Sequence, residues 1–343
     1  MKIELLPLDN AAGRRARERW DSIAKPLGSL GLLEDAIVKI AAVQHTENVS
    51  LAKRRVIVMC ADNGVVAEGI SQSDSSVTAL CADEIAEGRS NVNVIAAAVN
   101  ADVQAVDIGV AAQTRALDMK IAAGTGNIVL GAAMTREQAE KAIETGIALV
   151  REAKSEHIGI IVTGEMGIGN TTTAAAVSSV LLGLAPRDVT GRGAGLDDAR
   201  LTRKIKVVER AIAVNRPDAD DAVDVLAKVG GFDIAGMTGL FLGGAECGIP
   251  VVIDGAISAA AALVACRIAP QCSDFILASH VSAEPVGKML LGAIGAKPLI
   301  TAEMRLGEGT GGLMLLPLLD CALSVYNNAH RFDDIKLERY RPL

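Results

Sequence analysis

The sequence predicts an α/β protein with a doubly wound, mostly parallel sheet of the Rossmann-like kind and a small helical domain built from both termini. Three observations carry this prediction: short β-branched apolar runs, Ala-rich stretches with helical spacing between them, and helical segments near the two ends. Strands that alternate with helices form parallel sheets, because each helix returns the chain to the start of the next strand. Ligands are then expected beyond the carboxyl ends of the strands.

The predicted strands are buried apolar runs that end in Gly, Asp or a polar loop. They span residues 56–59, 103–108, 158–162, 250–253 and 274–277. The predicted helices span residues 32–44, 135–153, 171–184, 256–269 and 313–328. The helical segments at the two ends predict that residues 1–50 and 313–343 form the small domain and that residues 51–312 form the α/β domain.

Composition excludes several classes of protein. Half of the 343 residues are apolar, and the formal charge of −7 is spread along the chain without a basic stripe, so nucleic acid is excluded as a partner. The four histidines are far apart and show no metal spacing, so no metal site is predicted. Residues 1–10 lack a secretory pattern, and the most apolar segment is shorter than the roughly 20 residues that cross a bilayer. A cytoplasmic protein that does not bind membranes is therefore expected.

A first glycine-rich loop, residues 163–173, follows the strand 158–162. Its exposed backbone N–H groups and the helix N-terminus that follows would suit a phosphate. The loop matches neither the Walker pattern nor the dinucleotide pattern, and a tight turn capped by Asn170 or Thr171 is an equally good interpretation of the glycines alone. Glu165 favours the functional interpretation, because an acid among glycines serves no purpose in the turn.

Two further glycine clusters carry charged residues. Residues 190–198 precede a charged helix with Arg200, Arg203, Lys204 and Lys206, one of which could reach a monophosphate while the rest form a solvated face. Residues 304–312 surround Glu308 with glycines and apolar neighbours, which would desolvate the carboxyl and raise its pKa toward the range useful for a base. The alternative for Glu308 is a surface glutamate on a flexible turn.

Two other polar residues follow predicted strands. Asp62 would bind a ribose hydroxyl or begin a turn. His280 would be catalytic or a satisfied polar residue near the core, and the second interpretation is favoured.

Five motifs occur in order along nearly the whole chain. They are Lys25–Gly31, Ala61–Val65, Gly164–Thr172, Gly191–Gly193 and Arg305–Gly311. Together they resemble the nicotinate-nucleotide:dimethylbenzimidazole phosphoribosyltransferase family of cobamide biosynthesis, which includes phenol-activating relatives. The resemblance implies transfer of the ribose 5-phosphate of nicotinate mononucleotide to an aromatic base, which gives an α-riboside 5′-phosphate and nicotinate. It also implies a pentosyltransferase without a cofactor that works as a homo- or heterodimer.

The resemblance implies roles for sixteen residues of this chain. Glu308 takes the role of catalytic base, and Glu165 is the second acid. The positions expected around the phosphoribosyl group are Gly167, Asn170, Thr171, Gly193, Lys204, Arg305, Gly307 and Gly309. Those expected in the base pocket are Ser71, Leu80, Cys81, Met166, Ser282 and Leu306.

The chain departs from the family pattern in the base pocket. Leu80 and Cys81 follow Val77-Thr78-Ala79 at positions where the family commonly has Gln and Met. Losing a long amide removes a group that would position the incoming base. The leading hypothesis for the acceptor is 5,6-dimethylbenzimidazole or a related benzimidazole, and the alternative is a phenol such as p-cresol, used by one subunit of a heterodimer. A catalytically silent partner subunit is a third interpretation, although two desolvated acids argue against it. A dinucleotide-dependent dehydrogenase lacks the required fingerprint.

Overall fold

The computed structural model describes residues 3–340, so the first two positions of the predicted segment 1–50 and the last three of 313–343 lie outside the described residues. Its sheet has six parallel strands in the order β3-β2-β1-β4-β5-β6. The strands are β1 (Arg54–Ala61), β2 (Asp102–Gly109), β3 (Leu117–Asp118), β4 (Ile160–Met166), β5 (Val251–Ile253) and β6 (Ile276–Ala278). The predicted doubly wound parallel sheet is confirmed.

Helices flank the sheet on both faces. They are α1 (Asn10–Ser22), α2 (Leu32–Gln44), α3 (Ser76–Ala86), α4 (Asn91–Ala98), α5 (Arg136–Ser155), α6 (Asn170–Leu182), α7 (Pro186–Val189), α8 (Asp198–Asn215), α9 (Ala222–Val229), α10 (Phe232–Cys247), α11 (Ala256–Ile268), α12 (Gly287–Ile294), α13 (Thr310–Leu313) and α14 (Leu316–Asn328). The predicted helices correspond to α2, α5, α6, α11 and α14 within a few residues.

Two strand predictions were wrong at their ends. β4 starts two residues later than predicted and continues to Met166, so Glu165 belongs to the strand rather than to the loop. β6 begins at Ile276, because residues 270–275 form a 3₁₀ turn that starts at Pro270. The sequence did not predict β3, whose two residues are exposed and form no apolar run.

Helix α10 was also not predicted, since its glycines hide a helical pattern. Those glycines allow α10 to pack very closely against α5. A Cβ atom added to Gly146 of α5 would lie 2.1 Å from the backbone oxygen of Gly236, and one added to Gly239 would lie 2.0 Å from the backbone oxygen of Ile143. Glycine is needed here for the close approach of two backbones. The contact holds the start of α10 beneath the sheet edge where ligands are expected.

Segments from the two ends of the chain pack together. The rings of Trp20 in α1 and Tyr326 in α14 lie 5.1 Å apart. Arg54, at the start of β1, donates two hydrogen bonds of 2.9 Å to the Asp320 carboxylate in α14. The terminal helices share an apolar core with one face of the sheet, which includes Val58. The division of the chain at residues 50 and 312 stays a prediction.

The strand order creates a crevice at one edge of the sheet. β1 and β4 are neighbours but are not consecutive, so the connections on either side of this pair run in opposite directions. A parallel sheet opens at its carboxyl edge where this reversal occurs. Within the described part of the chain, no helix combines the length and apolarity that crossing a membrane requires.

Candidate active site

A cleft of about 250 Å³ lies at the carboxyl ends of the strands, where the sequence predicted it. All three predicted glycine-rich loops contribute to its walls. The predicted site residues that line it are Ser71, Glu165, Met166, Gly167, Asn170, Thr171, Gly193, Lys204, Ser282, Arg305, Leu306, Gly307 and Glu308. The fold therefore brings together residues from segments that are far apart in the sequence.

Gly309 does not line the cleft, because it is buried behind the loop. Its φ of 87° favours glycine, and an added Cβ atom would lie 2.5 Å from the Val56 side chain. Its backbone N–H donates to Asp254 at 3.2 Å. The position of Gly309 fits a role in shaping the loop rather than direct contact with a ligand.

Leu80 and Cys81 also lie outside the cleft wall. Leu80 is 63% exposed on α3. Cys81 is half-buried, and burial together with the nearby charge of Glu308 raises the pKa of its thiol. Cys81 is thus close to Glu308 without lining the cleft. This placement does not support the assignment of either residue to a base pocket.

Glu165 is a buried acid at the end of β4. Its Oε2 accepts a short hydrogen bond from the Asn170 amide, and a Cβ atom added to Gly307 would lie 2.6 Å from its Oε1. Burial raises the pKa of the Glu165 carboxyl well above its usual range; the Asn170 bond opposes the shift, and the charges of Asp233 and Asp254 add to it. Burial thus favours the protonated form of Glu165, and glycine at 307 leaves room for its carboxyl.

Glu308 lies in the loop before α13 with a left-handed backbone, at φ 61°. Its Oε2 is buried and has no hydrogen-bond partner among the described residues. Burial raises the pKa of the Glu308 carboxyl, the backbone N–H of Val92 opposes the shift, and the charge of Asp254 adds to it. A half-buried carboxyl with a free oxygen and a raised pKa is suited to accept a proton from a ligand in the cleft.

Sequence reasoning missed Asp254, which lies directly after β5. It is buried and accepts the backbone N–H of Gly309 at 3.2 Å and that of Gly312 at 3.0 Å, so it orients the Glu308 loop. The available signal was its place at the carboxyl end of a predicted strand, before a glycine. His280 is buried, with its Nδ1 at 3.1 Å from Ser279 Oγ, and it also lines the cleft.

Asp62 lies directly after β1 and outside the cleft wall. Its carboxylate accepts the backbone N–H of Ala111 at 2.8 Å. This contact joins the loop after β1 to the loop after β2.

A buried cation occupies another part of the cleft. Lys204, in α8, is 1% exposed, and its ammonium donates to the Thr171 hydroxyl at 2.7 Å without an ion pair among the described residues. Burial lowers the pKa of Lys204 to about 8, although the charge of Glu284 acts in the other direction. A desolvated ammonium with one neutral partner leaves donors available for an anion.

The backbone of the second glycine loop faces the same place. Gly193 has a φ of 53°, and an added Cβ atom would lie 3.3 Å from the Lys204 ammonium. The Gly193 N–H donates to a carboxylate oxygen of Glu284 at 2.9 Å. Glu284 thus accepts a hydrogen bond that an anionic ligand beside Lys204 would need. An anion that takes the Gly193 N–H must displace the Glu284 side chain.

The pKa of Lys204 predicts how anion binding depends on pH. The cation is present below pH 8 and is lost above it, so sulfate binding should weaken about tenfold between pH 7 and pH 9. Sulfate stays a dianion across this range, so the change reports the protein alone. Calorimetric titration at several pH values would measure it, with Lys206→Met, an exposed lysine of the same helix, as the control. A constant affinity would contradict the assignment of Lys204 to the anion site.

The rest of the cleft is partly apolar. Met166 and Leu306 line it, and Leu306 is 53% exposed, so its apolar side chain is accessible to a ligand in the cleft. Arg305 lines the same cleft and forms no hydrogen bond or ion pair with another described residue. Between residues 3 and 340, no group of three or more His, Cys, Asp and Glu side chains could hold a metal ion.

The cleft at the carboxyl edge of this parallel α/β sheet holds a buried cation and two acids whose pKa values are raised. This combination is typical of an enzyme that binds a phosphate ester. The family model described as phosphoribosyltransferase matches residues 5–336, and the chain belongs to this family. The protein is therefore a pentosyltransferase.

Relatives share nearly the whole chain. The nicotinate-nucleotide–dimethylbenzimidazole phosphoribosyltransferase of Acetivibrio thermocellus is 48% identical over 95% of this chain and 94% of its own length. The Escherichia coli SMS-3-5 protein of the same name is 42% identical over 94% of this chain and 90% of its own length. The crystal structure of CobT from Thermus thermophilus has a TM-score of 0.91 at 37% identity, covering 96% of this chain and 100% of that chain. The resemblance predicted from the five motifs is confirmed.

Proposed function

We propose that this protein transfers the ribose 5-phosphate of nicotinate mononucleotide to a nitrogen of 5,6-dimethylbenzimidazole or a related benzimidazole. The products are nicotinate and an α-riboside 5′-phosphate. The observation that carries the proposal is one cleft that holds Glu308, Glu165 and the buried cation Lys204, in a chain of this family. The relatives named above carry the benzimidazole name, so we retain a benzimidazole as the acceptor rather than a phenol.

The proposed reaction forms one bond to C1′ of the ribose and breaks another. The acceptor nitrogen attacks C1′, the bond to nicotinate breaks, and its electron pair neutralises the positive ring nitrogen of the leaving group. The proton on the other azole nitrogen passes to Glu308, whose buried Oε2 has no hydrogen-bond partner among the described residues. Positive charge develops at the ribose as the old bond breaks, and the carboxylate of Asp254 adds negative charge to this wall of the cleft.

The 5′-phosphate is proposed to bind beside Lys204. The ammonium, the Thr171 hydroxyl at the start of α6 and the Gly193 N–H supply donors within one small volume. The N-terminal end of α6 adds favourable partial charge, and Arg305 supplies a second cation in the cleft. On binding, the phosphate replaces the Glu284 carboxylate at the Gly193 N–H.

The aromatic acceptor is proposed to lie against the apolar part of the cleft. The side chains of Met166 and Leu306 offer apolar contact to the acceptor ring. Ser71 and Ser282 line the same cleft and offer hydroxyl groups. Leu306 precedes Glu308 by two residues, so a base stacked on this side chain would have its N–H within reach of the catalytic carboxylate.

An acceptor assay tests the proposed function. Purified protein with nicotinate mononucleotide should release nicotinate when dimethylbenzimidazole is added and should release it at least about tenfold more slowly with phenol or p-cresol, which lack the azole nitrogen. Chromatography of the products measures both rates. Faster transfer to the phenols would reverse the choice of acceptor. Failure with every azole and phenol would exclude the proposed function.

Two further predictions concern the protein outside the cleft. Dimerisation, either with a second copy or with a different subunit, is proposed on the resemblance to the family. The cytoplasmic location is likewise kept as a proposal.

A further inference from the structure

A second buried carboxylate lies beneath Glu165 and does not line the cleft. Asp233 is the second residue of α10 and is 0% exposed. The amide nitrogen of Asn170 donates to Asp233 Oδ2 at 3.0 Å and also donates to Glu165 Oε2. One amide group therefore joins the two acids.

The surroundings of Asp233 are built to hold a carboxyl group. Its Oδ1 accepts the backbone N–H of Ile234 at 2.9 Å. A Cβ atom added to Gly167 would lie 2.9 Å from Oδ2, and one added to Gly231 would lie 2.4 Å from Oδ1. Among residues 3–340, no Lys, Arg or His forms an ion pair with Asp233. The acid is thus buried beside Glu165 without a compensating cation.

The negative charge of Asp233 is the feature that packing does not require. An asparagine would keep one accepting oxygen for Asn170 with a smaller desolvation cost than a carboxylate, while its NH₂ group would replace the oxygen that accepts from Ile234. Two acids that share one donor in a dry site titrate far apart, because the charge on one opposes ionisation of the other. Burial raises the pKa of Asp233 to about 6, and the charge of Asp233 adds to the rise in the pKa of Glu165 that burial causes. An ionised Asp233 therefore favours the protonated form of Glu165.

We propose that Asp233 is a positioning residue for Glu165: through the Asn170 amide it orients the Glu165 carboxyl beneath Gly307 and keeps a proton on it. Because Oε2 accepts from Asn170, the proton belongs on Oε1, the oxygen nearest Gly307. Glu165 then offers a hydrogen-bond donor to a ligand in the cleft, where an ionised carboxylate would only accept. This inference rests on the proposed function.

Titratable groups on four segments of the chain lie close enough to Glu165 to interact with its charge. They are Cys60 on β1, Asp233 on α10, Asp254 after β5 and Glu308 before α13. Burial raises the pKa of the Cys60 thiol well above its usual range, so it stays neutral. Asp254 and Glu308 are carboxyls of the cleft wall, so Asp233 is the one member of this set that can be neutralised without changing a lining side chain.

The test is Asp233→Asn in the full chain, which keeps an oxygen for Asn170 and removes the charge. In protein labelled with ¹³C at the glutamate carboxyl, the Glu165 signal, assigned by its loss in Glu165→Gln, should titrate at least about one pH unit lower than in the wild type. The alkaline limb of the kcat profile should move down by the same amount, and KM for nicotinate mononucleotide should stay within about threefold.

A purely structural role would give a different result. It would lower the melting temperature and leave the Glu165 titration at the wild-type pH, and that unchanged titration overturns the proposal. Asp107→Asn removes another buried carboxylate, at the end of β2, and should leave the Glu165 signal in place. Should Asp233→Asn not fold, Asp233→Ser removes the same charge with a smaller side chain and must shift the signal in the same direction. If the wild type transfers no phosphoribosyl group, the proposed function fails while the ¹³C titration still decides the role of Asp233.

Discussion

Glu308→Gln is expected to lower kcat about 10²–10⁴-fold, the usual contribution of a general base. The amide keeps the size of the side chain and its contact with the backbone near Val92 but cannot take the proton of the acceptor. KM for nicotinate mononucleotide should change by less than about threefold, since binding of the phosphate depends on other residues. Steady-state release of nicotinate with dimethylbenzimidazole as acceptor measures both constants.

Glu303→Gln provides the matched control for this experiment. Glu303 lies five residues earlier in the same loop, has a left-handed backbone at φ 50°, and is exposed outside the cleft wall. Its substitution removes the same charge and should leave kcat within about twofold of the wild type. Near-normal turnover by a folded Glu308→Gln protein would remove Glu308 from the mechanism. Thermal melting would confirm that both variants are folded.

Lys204→Met is expected to raise KM for nicotinate mononucleotide about 10- to 100-fold. Hydrogen bonds to a charged group contribute about 1.5–3 kcal/mol, and about 1.4 kcal/mol corresponds to a tenfold change in binding. Methionine has a similar length and fills the same buried space, so the loss reports the charge rather than a cavity. Calorimetric titration with nicotinate mononucleotide in the absence of acceptor would separate this effect from any change in kcat.

The fold should tolerate the loss of this ammonium. Lys204 is desolvated and has no ion-pair partner among the described residues, so Lys204→Met should leave the melting temperature unchanged or raise it. Lys206→Met, at an exposed position of the same helix, should change neither KM nor stability. An unaltered KM in folded Lys204→Met protein would show that the phosphate binds elsewhere.

Much of the sheet could be predicted from the sequence, because apolar periodicity reflects local burial. The strands β1, β2 and β5 and the helices α2 and α5 correspond closely to the predicted segments. Two of the elements that were missed have local reasons. β3 is too short and exposed to leave a pattern, and α10 contains glycines that pack against α5 but hide its helical character.

The charged residues of the cleft illustrate the limit of local patterns. Helical spacing alone could not show which cation contacts a phosphate among Arg200, Arg203, Lys204 and Lys206. Only the resemblance to a family pointed to Lys204. The structure buries Lys204 and leaves the other three exposed. The difference comes from the packing of α8 against α6, which no property of the helix by itself encodes.

Asp254 and Asp233 show the same limit more strongly. Each is one aspartate in an otherwise ordinary segment, after a strand in one case and in a glycine-rich helix in the other. Their importance depends on partners far away in the chain: Gly309 and Gly312 for Asp254, and Asn170 for Asp233. Burial raises the pKa of both acids, and the hydrogen bonds from those partners oppose the shift.

The sequence by itself determined the parallel α/β class, the three glycine-rich loops and the two candidate acids, because periodicity and glycine act over a few neighbouring residues. Only the tertiary structure decided which cation is buried and which two acids, Glu165 and Asp233, share the Asn170 amide. It also placed Leu80 and Cys81 outside the cleft. Desolvation and charge interactions depend on distances in space, and the chain acquires those distances only when strands from distant segments align their carboxyl ends at one edge of the sheet.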